Sequence, residues 1–97
     1  MATFIVLGNY TEQGIRTAVD SPKRTEAVKA MAKKLGVTLR ETYWTLGAYD
    51  LVAIFDAPDD ASMTALGLSI GKLGNVRTQT LRAFPLADMK GIFQKVV

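Results

Sequence analysis

Residues 51–55 read Leu-Val-Ala-Ile-Phe, and this unbroken apolar run says more about the fold than any other segment. A short apolar run that is bounded by turn residues predicts a β-strand that is covered on both of its faces. Residues 3–10, Thr-Phe-Ile-Val-Leu-Gly-Asn-Tyr, have the same character. We therefore expect these two segments to form the central strands of one sheet.

The segments that flank residues 51–55 predict a hairpin and a helix. Residues 37–46 are rich in β-branched and aromatic side chains, which favour a strand, and residues 47–50 then form a hairpin turn. Downstream, residues 57–60 read Ala-Pro-Asp-Asp and predict a helix start, with the proline at the first position and both acids in the first turn. Gly74 and Asn75 end that helix.

The region before residue 37 predicts a loop and one further helix. Residues 11–19 predict a loop that contains a helical turn. Residues 20–22, Asp-Ser-Pro, predict a helix start in which a side chain caps the first turn and proline occupies the first helical position. The apolar spacing that follows places the helix at residues 22–35, and Gly36 ends it.

The last part of the chain completes the order of elements. Residues 76–84 predict a fourth strand, and residues 88–97 predict a short terminal helix. The order β-α-β-β-α-β predicts an α+β, ferredoxin-like fold, in which two helices cover one face of a four-stranded antiparallel sheet. No linker or low-complexity segment divides the chain, so we expect a single domain over residues 1–97.

The second face of this predicted sheet needs a cover. Both central strands are apolar on both faces, whereas two helices can cover only one face. A monomer rarely leaves so large an apolar patch in water, and symmetric dimers are the commonest oligomers. We therefore predict a homodimer, extendable to an assembly of dimers, in which the two sheets pack face to face. The alternative is that the terminal helix covers this face within one chain.

Composition excludes several classes of site. The 97 residues contain no Cys and no His, which removes disulfides, thiolate chemistry and imidazole chemistry. The carboxylates show no metal-binding spacing, so we expect no metal and no cofactor. Residues 50–56 have acids at both ends, which argues against stacking of nucleic-acid bases. The net charge of +3 comes largely from one helix, whose basic side we interpret as a solvated face.

The N-terminal residues predict a strand and not a signal peptide, because the apolar run is short and has no basic segment before it. No apolar run approaches the ~20 residues of a membrane-spanning helix. We therefore expect a protein that does not enter membranes, and the lack of Cys fits a cytoplasmic location.

Polar side chains recur at alternate positions of two predicted strands. They are Arg40, Thr42 and Trp44 on one side of the second strand, and Thr78, Thr80 and Arg82 on one side of the fourth. If both sets line one cavity, the arginines suit a polar or anionic ligand, since the guanidinium fork matches a carboxylate, and the indole supplies a stacking wall. The alternative is that both are edge strands whose Arg and Thr side chains face solvent.

Tyr49 and Asp50 form a second candidate feature. A hairpin turn accounts for them without any function, because Asp is a common turn residue. A phenol beside a carboxylate is also an acid–base pair if the pocket is dry.

Four short blocks carry a resemblance to a known family. Residues 43–50, Tyr-Trp-Thr-Leu-Gly-Ala-Tyr-Asp, resemble the motif that names the GYD-domain family, a glycine, one variable residue and then Tyr-Asp. Residues 11–15, 57–60 and 74–84 are similar to that family as well, so that the resemblance covers residues 3–86. It implies the dimeric α+β barrel superfamily, which includes cofactor-free monooxygenases, isomerases and ligand-sensing domains.

Three functions stay open on the sequence. The first is a small homodimer that binds a small polar or anionic molecule in a cavity next to the sheet. Its candidate ligand-binding residues are Arg40, Trp44, Tyr49, Asp50, Thr78 and Arg82. The second is a cofactor-independent enzyme, for which the sequence identifies no catalytic residue, and the third is a structural module whose role is self-association.

Overall fold

The strands and helices of the computed structural model, which describes all 97 residues, follow the predicted order. The strands are β1 (Ala2–Tyr10), β2 (Thr38–Trp44), β3 (Leu51–Ala57) and β4 (Val76–Ala83). The helices are α1 (Glu12–Arg16), α2 (Ser21–Lys34), α3 (Asp60–Gly71) and α4 (Leu86–Phe93), and a 3₁₀ turn occupies Ala18–Asp20. The sheet is antiparallel in the order β2-β3-β1-β4, which confirms the ferredoxin-like α+β fold and the central position of β1 and β3.

The hydrophobic core lies between one face of the sheet and the helices α2 and α3. Phe4 and Val6 of β1 and Ala53 and Phe55 of β3 alternate along their strands and point to this face. They pack with Ala32 of α2 and with Met63, Leu66 and Ile70 of α3. Burial of each large apolar side chain contributes about 1.5–3 kcal/mol, so this layer contact holds the chain together.

Both predicted helix starts need correction. Asp20 does not cap α2, because its backbone (φ −83°, ψ 0°) continues the preceding 3₁₀ turn and its side chain makes no capping bond. Pro58 lies outside α3: Asp59 is the cap, and its carboxylate accepts a hydrogen bond from the Ser62 backbone N–H at 2.7 Å. That bond holds the pKa of Asp59 below its usual value.

The terminal helix α4 begins and ends earlier than predicted, at 86–93 and not at 88–97, because Pro85 already forms its N-terminal boundary. None of its residues is buried. It therefore does not cover the second face of the sheet within this chain. Across the whole chain, no helix combines the length and the apolar character that crossing a membrane requires.

A β-bulge in β2 overturns one prediction about sidedness. The pairing of β2 with β3 shifts between Leu39 and Glu41, so Arg40 has no partner in the ladder. Its guanidinium lies 3.5 Å from the carboxylate of Asp56. Asp56 belongs to the sheet face away from the helices, so Arg40 does not share a side with Thr42 and Trp44.

The loop after β1 is fastened to the loop before β4. The Thr11 hydroxyl donates to the Gly74 carbonyl at 2.6 Å, and the Gln13 amide donates to the Asn75 side chain at 3.0 Å. Gly14 is buried here, and a Cβ at this position would lie 1.9 Å from the Asn75 carbonyl oxygen. The predicted helical turn is therefore present as α1, and Gly14 is required by a close backbone approach.

Candidate functional site: an internal cavity and an open sheet face

A cavity of about 100 Å³ lies between the sheet and the helix layer, and we call it the internal cavity. Its wall contains side chains from β1, β2, β3, β4, α2 and α3. Eleven of its seventeen lining residues are hydrophobic, among them Val6, Leu51 and Phe55. The site is therefore an apolar pocket that draws on both layers of the fold.

Small residues in the middle of the sheet create this space. Trp44, Leu51, Gly8 and Thr78 form one row across the four strands, and Ala53 lies in the next row beside Val6. A Cβ at Gly8 would approach the Leu51 side chain to 2.8 Å, so Leu51 already leans over the glycine. The methyl group of Ala53 leaves the adjoining volume unfilled.

One end of the internal cavity carries a chain of hydrogen bonds. The Trp44 indole N–H donates to the Tyr10 hydroxyl at 3.0 Å, and the Tyr10 and Ser21 hydroxyls lie 2.5 Å apart. Ser21 donates to the Ala18 carbonyl at 2.6 Å. The single hydroxyl proton of Ser21 is used in its bond to Ala18, so Tyr10 must donate to Ser21. Each of the three donor groups, Trp44, Tyr10 and Ser21, therefore has an acceptor.

Arg24 is the cation in the wall of the internal cavity. Its guanidinium donates to the Gly14 carbonyl at 3.2 Å and to the Thr17 hydroxyl. Two neutral oxygens of the loop after β1 therefore hold this side chain, which joins α2 to that loop.

Two of the six predicted ligand-binding residues, Trp44 and Thr78, line the internal cavity. Arg82 lies outside it, in a shallow groove of about 480 Å³ between α3 and β4 that Thr78 and Thr80 also line. The Arg82 guanidinium lies 4.4 Å from the centre of the Phe84 ring and 5.5 Å from that of Phe4, and it donates to the Thr3 carbonyl.

The other three predicted residues are used elsewhere. Arg40 pairs with Asp56. The Tyr49 hydroxyl donates to the Gln79 side chain at 3.3 Å. The Asp50 carboxylate accepts a hydrogen bond from the Tyr10 backbone N–H at 2.9 Å, which extends the pairing of β1 with β3. The structure therefore gives Tyr49 and Asp50 separate partners.

The sheet face away from the helices, which we call the open face, has an apolar centre and a polar edge. Its centre consists of Ile5, Leu7, Tyr43, Val52, Ile54 and Leu81, which the strand register places side by side. At its edge, Arg40 and Thr3 contact Asp56, and Tyr49 contacts Gln79. No element of this chain covers the centre, and Tyr43 and Leu81 are exposed.

Tyr43 is the titratable group at the centre of the open face. Its hydroxyl donates to the Glu41 carboxylate at 3.0 Å. This hydrogen bond, with a smaller contribution from the negative charge of Glu41, raises the pKa of Tyr43 above its ordinary value of 10.0.

Sequence reasoning misses Tyr10, Ser21 and Arg24 as residues of the internal cavity. It assigns Ser21 and Arg24 to the start and the basic side of a helix, where no pattern distinguishes a side chain that turns inward. The small residues Gly8 and Ala53 inside apolar strands are the signal that could have located the cavity, since they interrupt otherwise bulky runs.

Comparisons with known proteins agree on the fold and on the family. The GYD domain model matches residues 4–93. A curated relative, the "Glutamine synthetase and cystathionine beta-lyase binding protein" of Thermus thermophilus, is 38% identical over 90 residues, which span 92% of this chain and 95% of the relative.

Two solved structures are similar as well. The crystal structure of TTHA0845 from Thermus thermophilus has a TM-score of 0.57 and 29% identity, and the match covers 88% of this chain and 95% of that one. The crystal structure of FFRP-DM1 has a TM-score of 0.62 at 20% identity, and the match covers 87% of this chain and 100% of the other. The second likeness supports the fold alone.

Proposed function

This chain belongs to the GYD-domain family, and we propose that it is a homodimeric protein-binding module whose open face pairs with the open face of a second copy. The observation that carries the proposal is the open face itself. Its apolar centre is left uncovered by a chain that buries the opposite face beneath two helices. A surface of this kind is typical of a protein interface.

The dimensions of the open face suit a dimer. Four strands at about 4.8 Å and seven residues at about 3.3 Å give sides of roughly 19 and 23 Å, and hence a projected area of about 440 Å². Side chains make the accessible area larger than this projection, which brings it toward the roughly 600 Å² per partner at the lower end of specific interfaces. Protein interfaces typically have an apolar core and a polar rim, and the open face has the same arrangement. The polar side chains at its edge bond to one another.

The relative from Thermus thermophilus supports a class of partner for the dimer. That protein is named for binding glutamine synthetase and cystathionine β-lyase, and it matches this chain over nearly all of both lengths. We extend this property to the present chain: its protein partners are metabolic enzymes of the same kind.

The test measures binding of the chain to purified glutamine synthetase and cystathionine β-lyase from the same organism. We expect saturable binding to at least one of them by isothermal titration calorimetry. Ile54→Glu, which places a charge at the centre of the open face, should weaken binding if the dimer is the binding form. Ala27→Glu, at an exposed position of α2, is the matched control. Absence of binding to both enzymes contradicts the assignment.

The internal cavity supports a second candidate function, the binding of a small molecule. Trp44 and Thr78, which the sequence predicts as ligand-binding residues, both line it. Titration of the chain with small molecules that fit the cavity tests this function, and absence of binding by every such molecule contradicts it.

A further inference from the structure

We propose that the internal cavity binds a neutral, largely apolar molecule whose buried part is no larger than one aromatic ring. This inference rests on the second candidate function above and specifies its ligand. The proposed ligand differs from the polar or anionic ligand that the sequence predicts. Three observations support it: the volume of the cavity, the hydrogen bonds within its wall, and the positions of the arginines.

The size of the internal cavity limits the ligand. Its volume is about 100 Å³, whereas an engineered cavity of about 150 Å³ with a Leu, Ile and Phe wall accommodates benzene. Three of its lining side chains, Trp44, Leu73 and Thr78, are also exposed, so the cavity communicates with solvent. The buried part of a ligand is therefore at most one ring or a short branched chain, and any further substituent lies in the opening to solvent.

The hydrogen bonds in the wall limit the polarity of the ligand. Trp44, Tyr10 and Ser21 each donate to a protein acceptor, so none of them has a proton left for a ligand. The hydroxyls of Thr42 and Thr78 and the side-chain NH₂ of Asn75 remain as neutral donors to a ligand. The wall therefore offers few neutral polar groups and suits a ligand that is largely apolar.

The placement of the arginines disfavours an anion. Arg24 donates to the Gly14 carbonyl and the Thr17 hydroxyl, while Arg40 and Arg82 lie outside the cavity. Arg24 keeps its charge beside these two neutral oxygens, so a carboxylate could gain an ion pair only at that one point of the wall. Everywhere else in this largely apolar wall, a carboxylate loses its hydration and gains no ion pair. A neutral molecule avoids that loss.

The experiment compares benzene with benzoate, which share one ring and differ in charge. Each is titrated into the full chain, and binding is followed by NMR shifts of the methyl groups of Val6, Leu51 and Ala53. We expect saturable shifts with benzene, and at least tenfold weaker binding with benzoate. Ala53→Leu, which fills the cavity from its floor, should weaken benzene binding at least tenfold.

Two further variants keep the result interpretable. Thr42→Leu fills the same space from β2, and it replaces Ala53→Leu if that variant does not fold. Ala27→Leu adds the same side chain at an exposed site on α2 and should leave benzene binding unchanged. Binding of benzoate without benzene overturns the ligand class and leaves small-molecule binding in place. Binding of neither overturns both.

Discussion

The two faces of the sheet use the same strands in opposite ways. On the covered face, Phe4 and Phe55 lie against α2 and α3, and both are almost completely buried, at 5% and 2% exposure. On the open face, Ile5 and Ile54 come from neighbouring positions of the same two strands and are only half-buried. Successive side chains of a strand point to opposite faces, so an unbroken apolar run makes both faces apolar. The helices of this chain cover only one of them.

The comparison separates residues that fold the chain from residues that form the interface of the proposed dimer. Side chains of the covered face contribute to the folding of a single chain. In the proposed dimer, side chains of the open face contribute when the second copy packs on them. Substitutions on the two faces should therefore differ in what they change, and the following predictions use matched pairs to measure that difference.

The largest expected effect is that of Leu66→Ala on the covered side. Leu66 is 0% exposed, and its truncation should lower the free energy of unfolding by about 2–5 kcal/mol because a cavity remains. Leu81→Ala on the open face, where the side chain is 40% exposed, should change the stability of the monomer by about 0.5 kcal/mol or less. Urea denaturation at low protein concentration measures both. Equal losses would remove the distinction between the two faces.

Close packing also occurs in the loop after β1, where Gly14 lies against the backbone of Asn75. Gly14→Ala should destabilise the chain by about 1–3 kcal/mol, because the new Cβ meets the Asn75 backbone and not a flexible side chain. Gly67→Ala on α3 is the control, since its Cβ meets nothing within 4 Å. That substitution should stabilise the helix by up to about 1 kcal/mol. Thermal unfolding with calorimetry compares the two variants, and destabilisation by Gly67→Ala would contradict this account of the helix layer.

Within the covered face, Ala53 and Ala57 distinguish a loosely filled site from a packed one. Ala53 adjoins the internal cavity, so Ala53→Leu should change stability by about 1 kcal/mol or less. Ala57 is 0% exposed and does not line the cavity, so Ala57→Leu should overpack the core at a loss of about 1–3 kcal/mol. Chemical denaturation measures the free energy of unfolding of both variants. An equal loss of stability in the two would mean that the cavity cannot accept a larger side chain.

The smallest effect concerns pH at the open face. The pKa of Tyr43 is raised by Glu41, so the stabilising contact is fully present below the unfolded pKa of about 10 and is lost as pH rises through the higher folded value. Glu41→Gln should lower the pKa of Tyr43 toward its ordinary value. Absorbance of the phenolate measures this, with Tyr43→Phe to identify the signal. Closure of the dimer over Tyr43 should raise its pKa further, because burial disfavours the phenolate.

Much of the fold follows from local patterns in the sequence. The apolar runs at 3–10 and 51–55 identify the central strands, and Gly36, with φ of +72°, directly follows the cap residue of α2 as predicted. The helix α3 ends earlier than predicted, at Gly71 and not at Gly74. The errors are local as well. The residue type of Asp20 predicts a cap, but the preceding 3₁₀ turn already fixes its backbone in a helical conformation.

Less of the candidate site could be predicted, because it depends on tertiary placement. A one-residue bulge moves Arg40 to the opposite face, and no periodicity in residues 37–46 reveals it. The internal cavity arises because Gly8 has no side chain and Ala53 has only a methyl group. It can be located only when the strand register that places these residues beside their neighbours is known. Arg24 belongs by its position to the basic side of α2, but it turns toward α1 to bond Gly14 and Thr17.

The central claim is that the open face is where two copies meet, and sedimentation equilibrium tests it most directly. The account predicts that the wild-type chain sediments as a dimer, that Ile54→Glu sediments as a folded monomer, and that Ala27→Glu stays a dimer. A wild-type monomer at micromolar concentrations, or a dimer that Ile54→Glu leaves intact, would contradict the claim.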